Sequence, residues 1–142
     1  MIKYPVEFHS ETESQNGINS NWKTKSKFSE SHLSIPPEFS GPGGALSPED
    51  LFNQALTNCF VATFKVYAEN SKLVFENIKV TSNLIVDLDE SRRPVMKEFV
   101  LNAEIVAPSS PEKALLLAKK ASESGFILNS VKTNCRFEFK VS

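Results

Sequence analysis

What is scarce in this chain excludes a good deal. Two cysteines in 142 residues, Cys59 and Cys135, are too few for a disulfide-stapled secreted scaffold or a cysteine-rich zinc site, so any role for cysteine is that of a thiol. Neither charge prevails: 16 Lys+Arg against 17 Asp+Glu leave a net charge of -1. With no basic block to track phosphates, nucleic acid is not an expected partner. The longest apolar runs are about five residues, where a membrane span needs roughly 20. Residues 1–8, Met1-Ile2-Lys3-Tyr4-Pro5-Val6-Glu7-Phe8, lack the uninterrupted apolar core of a signal peptide, so a soluble, cytoplasmic protein with no membrane partner is expected. His9 and His32 have no spaced partner of the kind a metal site needs and read as solvated side chains. Gly41-Pro42-Gly43-Gly44 lacks the lysine and hydroxyl of a phosphate-binding loop and reads as a mobile turn. No cofactor or metal is expected.

What is present is a composition near the globular average, 40% hydrophobic and 23% charged, in a length that suits a single domain over 1–142. Ile2, Tyr4, Val6 and Phe8 alternate with polar residues, as do Trp22, Thr24, Ser26 and Phe28; this period predicts two strands, with a short third over His32–Ile35 before Pro36-Pro37. Ser47-Pro48-Glu49-Asp50 is a helix start: a hydroxyl cap, proline in the first turn and carboxylates beside the positive end of the dipole. The helix should run from Pro48 to about Asn70. Its apolar residues, among them Leu51, Phe52, Leu56, Cys59, Phe60, Phe64 and Tyr67, spread over more than one face and predict a mostly buried helix. A hairpin follows, Ile78, Val80, Leu84, Val86 and Leu88 in phase on one strand, Val95, Phe99, Leu101, Ala103 and Ile105 on the next. A second helix, Pro111–Ser124, is read with Leu115, Leu116, Ala118 and Ala121 inward, closed by Gly125 as a candidate for positive φ. Val131, Thr133, Cys135, Phe137, Phe139 and Val141 alternate along a last strand. The order is βββ-α-ββ-α-β, an α+β protein.

Cys135 is one bead in an apolar row and reads as a small core residue. Cys59 lies inside the central helix, about three turns beyond its cap and too far for the helix dipole to ionise it. By composition it reads either as packing or as a reactive thiol. Glu49 complements the helix dipole, and on an unbroken helix it stands about 15 Å from Cys59 along the axis.

Ile35-Pro36-Pro37-Glu38-Phe39-Ser40-Gly41-Pro42-Gly43-Gly44, then Ser47-Pro48-Glu49-Asp50-Leu51-Phe52, then Asn58-Cys59-Phe60 resemble the OsmC/Ohr family, the osmotically inducible and organic hydroperoxide resistance proteins. The resemblance extends over nearly the whole chain. It implies an intertwined homodimer with paired, buried central helices and active sites at the subunit interface. It also implies that Cys59 matches the family's peroxide-attacking thiolate and Glu49 the glutamate that holds an activating arginine. The family's second cysteine, which turns the sulfenic acid into a disulfide, falls on Gly125, and its following proline on Phe126. The only arginines are Arg92, Arg93 and Arg136, none before the central helix. Lys23, Lys25 or Lys27 would have to supply the charge, as a point charge without the planar fork.

The resemblance therefore implies thiol-dependent reduction of an organic, apolar hydroperoxide by Cys59, with an external thiol as resolving partner and reductant. The alternative is a non-catalytic dimer that binds a small apolar ligand. A scaffold in which Cys59 only packs is the third reading.

Overall fold

The computed structural model describes residues 1–142. Its elements are β1 (Glu11–Glu13), β2 (Trp22–Lys25), β3 (Glu30–Leu33), α1 (Pro48–Asn70), β4 (Asn77–Leu88), β5 (Pro94–Val106), α2 (Pro111–Ser124) and β6 (Asn134–Val141), with 3-10 turns at Pro37–Phe39 and Leu128–Ser130. This is the α+β order the sequence implies. The contacts divide the chain into two units, Met1–Leu51 and Phe52–Ser142.

In the first unit β1, β2 and β3 form an antiparallel sheet, with Thr12 opposite Thr24 and Lys23 opposite His32. The strand expected over Ile2–Phe8 does not form, and Ile2, Tyr4, Val6 and Phe8 are all exposed. Alternation marks a face that can be buried, but a strand also needs a neighbour for its backbone groups. Here Glu11–Glu13, not Ile2–Phe8, takes the place beside β2. The second strand stops at Lys25 because Ser26 N–H turns back to the Ser29 carbonyl at 2.9 Å. Gly41–Gly44 is tied down rather than free: Gly41 and Gly43 donate to the carbonyls of Pro36 and Ile35 at 3.0 and 3.1 Å. A Cβ on Gly41 would lie 2.0 Å from the Ile35 carbonyl oxygen, so only glycine allows this approach. At the start of α1, Ser47 Oγ accepts from Asp50 N–H at 3.0 Å while Asp50 Oδ2 accepts from Ser47 N–H at 2.9 Å. That reciprocal box satisfies two of the helix's orphan donors.

In the second unit β5 is the central strand, antiparallel to β4 and parallel to β6. Parallel neighbours need a long crossover, which α2 supplies. From Phe52 onward α1 lays Leu56, Cys59, Phe60, Phe64 and Ala68 into the core. The Phe60 ring stacks at 5.5 Å on Phe139 and sits 6.0 Å from Phe137; truncating so buried a ring costs about 3–5 kcal/mol. A single chain buries one face of this helix, leaving Val66 exposed.

Two phases differ from those expected. α2 buries Ala114, Leu117, Ala118 and Ala121, and leaves Leu115 and Leu116 exposed. Three alanines on one stripe let the helix lie close to the core, and leucines at those positions would hold it away. In the hairpin, a bulge between Ile85 and Val86 places Met96, not Lys97, opposite Val86. The extra residue turns the alternation over at that end of β5.

Candidate functional site

Cys59 enters the core of the second unit from the middle of α1 and is 9% exposed. Thr63, one turn on, donates its hydroxyl to the Cys59 carbonyl at 2.7 Å. What covers the thiol is the turn after α2. A Cβ at its ideal position on Gly125 would lie 2.6 Å from Cys59 Sγ, 3.2 Å from Leu128 Cδ1 and 3.3 Å from Thr63 Oγ1. The sulfur occupies the space that any side chain at 125 would need. Gly125 has φ -66° and ψ 137°, so the positive φ expected of a helix-ending glycine is not found. The chain leaves α2 extended and folds straight into the next turn, where Asn129 N–H bonds back to the Gly125 carbonyl at 2.9 Å. Close approach, not backbone conformation, is what glycine provides here.

Tyr67 and Ser124 were not legible as site residues. Tyr67 Oη lies 2.5 Å from Ser124 Oγ, the residue before Gly125, and Lys120 Nζ sits 4.6 Å from the Tyr67 ring centre. The two residues are 57 positions apart, and no local pattern couples them.

Glu49 is half-buried in the first turn of α1, which runs unbroken from Pro48 to Asn70. Ten residues of rise, about 15 Å, separate it from Cys59 along that axis. Lys23 faces Glu30 at 3.9 Å and Lys25 faces Glu11 at 3.2 Å, both on open surface of the first unit. Lys25 and His9 together hold the Glu11 carboxyl below its usual range. Lys27 lies 5.5 Å from the Phe28 ring centre. His9 and His32 are exposed. Arg93 pairs with Asp89 and Arg136 with Glu98. Cys135 is a free, half-buried thiol on β6 beside Phe99, with Sγ 3.4 Å from the Thr133 carbonyl, and burial pushes its pKa up. No group of three or more His, Cys, Asp or Glu side chains is placed to hold a metal ion, and no helix is long and apolar enough to cross a membrane.

The family model described as OsmC-like protein matches residues 41–140. The chain belongs to the OsmC-like family. Among OsmC-like structures, that of a protein of unknown function from Vibrio cholerae superposes with a TM-score of 0.87 at 18% identity, covering 96% of this chain and 100% of the other. An organic hydroperoxide resistance protein OsmC from Legionella pneumophila matches with a TM-score of 0.75 at 24% identity, over 99% of both chains. In sequence, the uncharacterized protein YmaD of Bacillus subtilis (strain 168) is 25% identical over 114 residues, 78% of this chain and 76% of that one. The OsmC-like match spans α1 with Cys59, the hairpin, α2 with Gly125 and nearly all of β6.

Proposed function

We propose that this OsmC-like chain reduces organic hydroperoxides through the thiol of Cys59, and that an external thiol completes the cycle. The Cys59 thiolate attacks the distal peroxide oxygen, the O–O bond breaks, and the alcohol leaves as Cys59 becomes a sulfenic acid. An external thiol condenses with it to a mixed disulfide, releasing water. A second external thiol then attacks the external sulfur of the mixed disulfide, the Cys59 thiolate leaves, and the two external thiols depart joined as a disulfide. The observation that carries this reading is the seat of Gly125 on Cys59 Sγ. The turn that bears the resolving cysteine in the family pattern lies against the candidate nucleophile, with no sulfur of its own. The apolar neighbours of Cys59 favour an apolar hydroperoxide. Solved OsmC-like proteins from Legionella pneumophila and Elizabethkingia anophelis are named organic hydroperoxide resistance proteins.

The working unit in this reading is a homodimer over the single domain 1–142, in the cytoplasm. Val66, Leu116 and Phe126 are 57%, 67% and 72% exposed in one chain, apolar surface that a second copy would cover. Glu49 assists Cys59 only across such an interface, because the unbroken helix holds the two apart within one chain.

The absence of an arginine before α1 favours a second reading, a dimer that binds a small apolar ligand without turnover. Cumene hydroperoxide added to the reduced protein separates the two. Peroxidase action gives Cys59 one added oxygen by intact mass, or a mixed disulfide when a thiol is present, faster than on the unfolded chain; Cys59→Ser gives neither. Oxidation no faster than on the unfolded chain leaves the ligand-binding reading.

A further inference from the structure

Ser124 Oγ has one proton and donates it to the Lys120 carbonyl at 2.6 Å. The hydroxyl of Tyr67, 2.5 Å from the same oxygen, is therefore the donor in their bond, and Ser124 accepts. The Lys120 ammonium, 4.6 Å from the Tyr67 ring centre, holds the ring by cation–π attraction. One side chain of α1 thus ties down the last residue of α2, and the next residue in the chain is the glycine that sits on Cys59 Sγ.

We infer that Tyr67 is a positioning residue: through Ser124 it holds the Gly125 turn closed over the Cys59 thiol and so sets how open that thiol is to a reagent. The inference rests on Cys59 being the reacting thiol of the proposed function. Gly125, Phe126 and Ile127 join α2 to the short turn at Leu128–Ser130, and Phe126 and Ile127 are largely exposed. Leu128 anchors the far end of the turn in the core, and the part-buried Tyr67–Ser124 bond acts on its near end, where Phe126 and Ile127 add little apolar burial.

Iodoacetamide alkylation of the reduced full chain at fixed pH, with Cys59 and Cys135 followed separately by peptide mass, tests this without any peroxide. Tyr67→Phe and Ser124→Ala are each expected to speed Cys59 alkylation about five-fold, the usual weight of one such bond, while Cys135 keeps its rate. The double variant is expected to match Ser124→Ala, which already removes the Tyr67 bond along with the Ser124–Lys120 one. Ser124→Thr, which keeps the hydroxyl, is expected to match the unaltered protein. Ser124→Ala lies at a half-exposed helix end and carries the test should Tyr67→Phe not fold. An unchanged Cys59 rate overturns the inference, and so does a parallel rise at Cys135, which means general loosening. If Cys59 resists peroxide while these rates behave as expected, the proposed function fails and the role of Tyr67 in the cover stands.

Discussion

Gly125 lies directly over Cys59, so close that a Cβ on the glycine would be 2.6 Å from Sγ. The turn after α2 and the middle of α1 are thus in van der Waals contact through one sulfur and one backbone carbon.

Gly125→Cys should form a 59–125 disulfide on mild peroxide treatment. Disulfide geometry sets roughly 3 Å between a Cβ and the far sulfur, close to the separation present, and φ of -66° at Gly125 admits any L-residue. Non-reducing peptide mapping reads the link, and turnover with a dithiol reductant should rise. A folded variant without the link refutes the placement of this turn.

Gly125→Ala should destabilise the protein by about 1–3 kcal/mol, the usual cost of an extra carbon in a packed site. Cys59→Ala in the same background should recover part of that, since it removes the nearest obstacle while Leu128 Cδ1 and Thr63 Oγ1 remain at 3.2 and 3.3 Å. Urea unfolding of the four proteins measures the coupling; strictly additive costs would show that the sulfur is not what excludes a side chain.

Sedimentation at micromolar concentration should give about twice the chain mass of 15.8 kDa. The exposed Val66, Leu116 and Phe126 motivate this, as do Ile2, Tyr4, Val6 and Phe8, whose alternating face finds no strand partner within the chain. A stable monomer at that concentration sinks the interface role of Glu49.

Cys135 should stay unlinked to Cys59 in the native protein, as both are free thiols in the structure; a 59–135 peptide from folded protein refutes this. Burial raises the Cys135 pKa, so the folded chain holds that proton more tightly than the unfolded one. The stability this adds is whole below the ordinary thiol value, about 8.5, and is lost as pH rises through the raised folded value. Cys135→Val should therefore flatten the decline in stability between neutral and alkaline pH; equal slopes for the two proteins would count against it.

Much of this molecule is written locally. The bounds of α1 follow from Ser47-Pro48-Glu49-Asp50 because capping acts within one turn. The inward row of β6, Cys135 to Val141, follows from a period of two that no distant residue alters, and the place of Cys59 inside α1 follows from the same helix. Other features depend on what lies opposite. Ile2–Phe8 has the alternation of a strand and stays unpaired, since alternation marks a face but does not select the ladder partner, and Glu11–Glu13 pairs with β2 instead. Leu115 and Leu116 outrank alanine in hydrophobicity, yet the alanine stripe faces the core because close helix packing depends on the space available. The family resemblance already sets Gly125 at the resolving cysteine's place, near Cys59 66 positions earlier in the chain; only folding decided that the sulfur fills the space of its missing side chain. The bond from Tyr67 to Ser124 is of the same kind: a contact between distant residues, decided by how α1 and α2 pack and carried by no period, cap or motif.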